Sequence, residues 1–144
     1  MRTTGLVLAL LFCLSAAASG AEPATAAPRP PELKMALDVA LTTTISVELL
    51  KRTFKDPRPE ESGMSGYAFP SGHAAAAFAL AEVAAEYHPH QKWLWYLLAT
   101  GVAVSRVHTH AHDWDDVIAG AALGAWIGES TVNQSGIVLK RWEW

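Results

Sequence analysis

The sequence predicts an all-α fold, a compact bundle of about four to five helices. Three observations carry that expectation. Apolar residues recur at steps of three and four, the period of a helix face rather than of a strand. Four apolar stretches of helical length are divided by short segments rich in proline, glycine, histidine or aspartate, which stop and restart helices. Alanine is abundant, and no alternating β-branched run competes. At 144 residues, one folded domain is expected.

The N-terminal segment has a different character. Met1-Arg2 supplies a positive start, Leu6 to Ala18 is apolar and uncharged, and Ala16 to Ala21 is almost entirely small. That is the layout of a secretory signal, expected over residues 1–21. The run is short for a bilayer span, which needs about 20 apolar residues. Residues 22–31 form an Ala/Pro-rich linker, extended where the prolines cluster. The domain is expected over residues 32–144.

Leu33 to about Phe54 is the first expected helix, marked by Leu33, Leu37, Leu41 and Ile45 at steps of four. Asp38 and Glu48 interrupt it. Lys55 to Pro70 holds Pro57, Pro59, Gly63, Gly66 and Pro70, so it reads as irregular. A second helix is expected from Ser71, a good N-cap after Pro70, to about Tyr87, where His88-Pro89-His90 stops it. A third covers Trp93 to Val104. A fourth runs from about Asp115 to Thr131, with Gly120, Gly124 and Gly128 spaced to admit a close neighbour. Val132 to Trp144 reads as a short amphipathic end. Beyond the signal, no apolar run reaches the length of a clean span. A soluble or membrane-peripheral domain is expected, with a membrane-embedded form as the alternative.

Composition narrows the function. A net charge of -3 offers no electrostatic basis for nucleic acid binding. The single cysteine, Cys13, lies inside the expected signal, so no internal disulfide framework is available.

The chemistry concentrates in three places. Lys51 closes the first helix, and Arg58-Pro59 follows in the loop; alone, such a pair is ordinary solvated surface. Phe69-Pro70-Ser71-Gly72-His73 places a hydroxyl, a flexible backbone position and an imidazole at a helix N-terminus, where anions bind readily. By itself it is equally a plain serine cap. Ser105 to Asp116 packs Arg106, three histidines and three aspartates between apolar segments. Such density suits either a polar loop or a catalytic or metal centre. If His112 to Asp116 is helical, the carboxylate can hold one imidazole nitrogen and leave the other neutral and nucleophilic. Arg106 is a fixed fork suited to phosphate.

Together, Lys51-x6-Arg58-Pro59, Pro70-Ser71-Gly72-His73 and Ser105-Arg106-x5-His112-x3-Asp116 resemble the signature of the type 2 phosphatidic acid phosphatase superfamily. This is the metal-independent histidine phosphatase group that shares its site with vanadium haloperoxidases. The resemblance implies the helical core of that family and catalysis by His112, His73 and Asp116. His112 would attack phosphorus, Asp116 would orient it, and His73 would protonate the leaving oxygen and later activate water. Lys51, Arg58, Ser71, Gly72 and Arg106 would bind the phosphate. No cofactor or metal is implied. The implied substrate is a phosphate monoester or pyrophosphate, of a lipid or a small molecule, and membrane-surface association fits a lipid. Export to the periplasm is expected, the alternative being membrane association with the site on the outer face. Competing readings are a non-specific soluble acid phosphatase, a vanadate-dependent haloperoxidase, and a non-catalytic metal-binding or structural protein drawing on His108 and His110. Asp113 or Asp115 is expected to cap the fourth helix. Domains of this family usually have about six helices, and their extra segments help shape the substrate pocket.

Overall fold

A computed structural model describes residues 30–133 of the chain. The expected signal, nearly all of the linker and the end of the chain after Asn133 lie outside the described residues. Four helices carry the fold: α1 (Glu32–Phe54), α2 (Gly72–Tyr87), α3 (Lys92–His108) and α4 (Trp114–Asn133). Among the described residues the only extended pairing is an isolated antiparallel bridge between Pro57 and Tyr67.

Helix α2 is the hub, packed against all three others. Ser71 caps it as expected: its Oγ accepts from the Ala74 N–H at 3.5 Å, the long end of hydrogen-bond range. The contact with α4 is the closest, and glycine makes it so. A Cβ at Gly124 would sit 2.0 Å from the Ala75 carbonyl oxygen, and one at Gly120 2.4 Å from that of Ser71. Gly128 meets Ala79 and Glu82 in the same way. Backbone therefore lies on backbone along three turns, which locks the N-terminus of α4 beside that of α2.

Two apolar clusters fill the interior. Met35, Val39 and Val47 of α1 pack with Ala75, Ala79 and Val83 of α2 and Leu123 and Ile127 of α4. Ala74, Ala103 and Val117 form a smaller cluster where α2, α3 and α4 converge. Fully burying a valine or leucine contributes about 1.5–3 kcal/mol; most α2 positions here are alanine, so the bundle relies on close approach more than on bulk.

The structure departs from expectation in two places. Helix α3 does not stop at Val104 but continues to His108, which puts Ser105 and Arg106 in its last turn. The polar residues remain helical because they lie at the end of the element, where a cation complements the helix dipole. The stripe that marks α1 in the sequence is also not its buried face. Leu33 is 71% exposed, Ile45 63% and Leu49 65%, with Leu37 and Leu41 close behind. The buried positions of α1 are Met35, Asp38, Val39, Thr43 and Val47.

Candidate active site

Four helix ends meet at one side of the bundle: the C-termini of α1 and α3 and the N-termini of α2 and α4. Lys51 comes from the last turn of α1. Its Nζ donates to the carbonyls of Tyr67 (2.7 Å) and Ala68 (3.2 Å), tying the returning loop to the helix. Phe54 and Phe69 reinforce that tie edge to face, their ring centres 5.2 Å apart. The loop delivers Ser71, whose N–H donates to the Asp116 carbonyl at 2.9 Å. The caps of α2 and α4 are thus bonded to each other.

His112 precedes α4 rather than lying within it. Its backbone is held from the other side: the N–H groups of Ala111 and His112 both donate to the Arg106 carbonyl, at 3.0 and 3.3 Å. The side chain is buried at 3% exposure, and Asp116 at 1%. His112 Nδ1 lies 3.3 Å from Asp116 Oδ2, so the expected pairing forms although only Asp116 is in the helix. The same oxygen accepts from the Asp113 N–H at 3.1 Å, and the Asp113 carbonyl receives the Val117 N–H. Asp113 thus stands at the cap position, and Asp116 reaches back to it as in a capping box.

On the other edge of the ring, His112 Nε2 lies 3.3 Å from Arg58 Nη1, which also donates to the Ala111 carbonyl at 2.9 Å. A guanidinium can only donate. In the neutral ring Nε2 can accept from it only when Nδ1 carries the proton, and that proton then faces Asp116. Between them, Arg58 and Asp116 set the tautomer.

Lys51, Arg58, Gly72, His73 and His112 line one cavity of about 360 Å³. Ser71 and Asp116 stand behind its wall, fully buried. Arg106 does not line it; its Nε donates to Ser105 Oγ at 3.2 Å. Its charge still reaches the site. The His73 pKa is lowered from its ordinary value, first by desolvation and then by Arg106, with His112, Arg58 and Lys51 adding to the effect. Burial, and then Arg58, likewise lower that of Lys51, partly offset by Glu48 and Asp116. The cavity is electropositive and opens on a helix N-terminus, a setting for an anion with more than one charge.

The sequence reading missed the rest of the wall: Thr43, Thr44, Val47 and Glu48 of α1, and Ala76 of α2. The signal was available, since Thr43, Val47 and Lys51 recur at four, but the leucine stripe beside them dominated the pattern. His108 and His110 are exposed, His110 with a left-handed φ of 52°. Among the described residues no group of three or more potential ligands is placed to hold a metal ion.

The family model described as the PAP2 superfamily matches residues 6–136. The chain belongs to the PAP2 superfamily. A PAP2 identity agrees with the family whose motifs the sequence carries, and every position of the three motifs lies within the match. Among curated relatives, the chain is 36% identical over 83 residues to the lipid A 1-phosphatase of Porphyromonas gingivalis, a stretch covering 55% of this chain and 18% of that protein. It is 39% identical over 56 residues to the bacitracin transport permease protein BcrC of Bacillus licheniformis, covering 39% of this chain and 28% of that one. The matches therefore span less than a third of the curated relatives' lengths. The PAP2 fold is shared with the crystal structure of a transmembrane PAP2 type phosphatidylglycerolphosphate phosphatase from Bacillus subtilis, with a TM-score of 0.59 at 21% identity, over 90% of this chain and 72% of that one.

Proposed function

We propose that this PAP2 chain is a metal-independent phosphatase that hydrolyses a lipid phosphate at a membrane surface, on the exported side, through a phosphohistidine. The observation that carries the proposal is the double hold on His112, with Asp116 on Nδ1 and Arg58 beside Nε2 at the wall of a cationic cavity. An imidazole held this way presents a neutral nucleophile to a bound phosphate.

In the first step the Nε2 lone pair forms a bond to phosphorus as the phosphorus–oxygen bond to the leaving group breaks. Charged His73 gives its proton to the departing oxygen. Asp116 stabilises the positive imidazole that results. Lys51 and Arg58, with the N–H groups at the start of α2, hold the phosphoryl oxygens, and the nearby charge of Arg106 adds to the field that stabilises the charge developing on them. In the second step neutral His73 takes a proton from water, the hydroxide attacks phosphorus, and the phosphorus–nitrogen electron pair returns to His112.

The lipid part of the proposal rests on the outer surface. Leu33, Leu37, Leu41, Ile45 and Leu49 expose one continuous stripe of α1, and Trp93, Leu97 and Leu98 are exposed on α3. Contiguous apolar surface of this kind marks a membrane or partner contact. Trp114, exposed beside the site at the start of α4, suits the headgroup level. No helix among the described residues is long and apolar enough to cross a membrane. Two of the similar proteins are described as phosphatases of lipids, which supports the same class. The signal-like N-terminus supports export.

The test is phosphate release by the full chain in EDTA, with and without vanadate, in mixed micelles and with a soluble aryl phosphate. Turnover that survives EDTA, stops with vanadate and favours the micellar lipid is the expected result. Activity lost in EDTA would refute the metal-independent mechanism.

A further inference from the structure

The cavity is larger than its phosphate end requires. Lys51, Arg58, His73 and His112 supply its cationic side, and the rest of its wall, a slot lined by Thr43, Thr44, Val47 and Glu48 of α1 and Gly72 and Ala76 of α2, extends it along those helices. On α1 it runs back from Lys51 past Glu48 and Val47 to Thr44 and Thr43, eight residues or about 12 Å of helix. On α2 it runs from Gly72 to Ala76. The α2 side is nearly flat, because Gly72 and Ala76 offer little side chain. A group attached to the phosphate has this slot before it.

Two polar residues of the slot have no task in the chemistry above. Thr43 is 1% exposed, and its Oγ1 is buried with no hydrogen-bond partner among the described residues. That is unusual for a helical threonine, which ordinarily bonds the carbonyl four residues back. Thr44 does so with Ala40 at 2.8 Å. Thr42 also has a buried hydroxyl without a partner, but it does not line the slot; both properties coincide only at Thr43. A buried hydroxyl without a partner is costly unless a ligand supplies one. The second residue is Glu48, an exposed carboxylate on the wall of a cavity otherwise built for anions. It lies close enough to Lys51 to raise that residue's pKa.

We propose that this slot is the leaving-group subsite, that Thr43 and Glu48 recognise a hydroxyl on the leaving alcohol, and that Glu48 disfavours a leaving group carrying a second phosphate. Thr43 and Glu48 each accept a hydrogen bond from a hydroxyl at their own depth in the slot. A diphosphate, attacked at its terminal phosphorus, must place its inner phosphate against the Glu48 carboxylate, and the two repel. The selected class is therefore the phosphate monoester of a hydroxyl-bearing alcohol, such as a glycerol or sugar headgroup, rather than an alkyl diphosphate. The inference rests on the phosphatase reading and refines it.

The experiment compares three alkyl substrates of equal chain length in the same micelles: a diol monophosphate, the monophosphate lacking the second hydroxyl, and the diphosphate. kcat/KM is measured for the full-length wild type, Thr43→Val and Glu48→Gln. The readout is the ratio between substrates, in which any change in the folded fraction cancels. Wild type is expected to prefer the diol phosphate and to use the diphosphate least. Thr43→Val should lower the diol preference. Glu48→Gln should raise the diphosphate relative to the plain monophosphate by about fivefold at low salt, the upper range for an exposed charge pair. Wild-type turnover with ratios unchanged in both variants would overturn the subsite alone. Wild type inactive on all three would overturn the phosphatase reading and the subsite with it.

Discussion

Arg58 Nη1 and His112 Nε2 lie 3.3 Å apart, and in the proposed mechanism that contact selects Nε2 as the nitrogen that bears the reactive lone pair. Fifty-four residues separate the two in sequence. A guanidinium on one edge of the ring and the Asp116 carboxylate on the other leave a single tautomer. Arg58→Lys keeps the charge but not the planar fork that reaches both Ala111 and His112. We expect kcat/KM to fall by about tenfold or more, at the scale of 1.4 kcal/mol per factor of ten. Steady-state kinetics on one lipid phosphate and one aryl phosphate check it; wild-type values in the variant would show that the contact does not matter.

Asp116→Asn tests the other edge. The amide oxygen can still accept the Asp113 N–H, so the α4 cap survives, and the thermal midpoint should fall only slightly. The amide cannot stabilise a positive imidazole, and kcat should drop by about 10²–10⁴-fold, the range seen when a buried carboxylate–histidine pair is neutralised. Thermal melts and kcat measured on the same preparation separate the two effects.

In the proposed mechanism His73 must be protonated to donate. In the free protein its pKa lies below the ordinary 6.5, through desolvation first and the charge of Arg106 second. The protonated fraction, and with it kcat/KM, therefore declines as pH rises through a value below 6.5. A bound phosphate dianion offsets the surrounding positive charge and raises the pKa. The alkaline limb of kcat should then lie at higher pH than that of kcat/KM. Coincident alkaline limbs, or a flat rate from about pH 4 to 9, would contradict the roles given to the two histidines.

His73→Gln should also distinguish leaving groups. An alkoxide needs the proton; an aryl oxide needs it far less. The loss in kcat is expected to be about 10²–10⁴-fold with an alkyl phosphate and much smaller with a nitrophenyl phosphate. Equal losses on both would assign His73 to binding instead.

Gly124→Ala addresses the scaffold. The added Cβ would sit 2.0 Å from the Ala75 carbonyl oxygen, so one backbone must move. Overpacking of this kind typically costs about 1–3 kcal/mol, occasionally more. The shift would also disturb the Ser71–Asp116 bond, one helical turn from Ala75 along α2 and about two from Gly124 along α4. Denaturant unfolding should show the loss of stability, with activity falling alongside it. Gly101→Ala, with nothing within 4 Å of its added Cβ, is the control.

Much of this was legible in the sequence because it depends on local spacing. The four helices, the Ser71 cap and the glycine steps all follow from residues within a few positions of one another. The i, i+4 reach from His112 to Asp116 was readable in the same way. What the sequence hid depends on distance and on environment. Periodicity identified α1, but it cannot say which face is buried, and the leucine stripe turned out to face outward. Arg106 was expected in the phosphate cradle, yet its side chain bonds Ser105 and acts on the site through charge. Its carbonyl, invisible to motif reasoning, is what holds the His112 backbone. Thr43 and Glu48 were missed because nothing in a helical stretch announces which of its polar residues will line a cavity.

In the proposed mechanism His112 accepts the phosphoryl group. The most direct test mixes the full chain with a lipid phosphate labelled in the phosphoryl group, quenches within a single turnover, and maps the label by peptide mass spectrometry under conditions that preserve phosphohistidine. Acid-labile, alkali-stable label is expected on the peptide containing His112, lost in His112→Ala together with turnover. A wild-type protein that turns over without labelling that peptide, while releasing phosphate in one kinetic step, would show that water attacks phosphorus directly and that His112 is not the nucleophile.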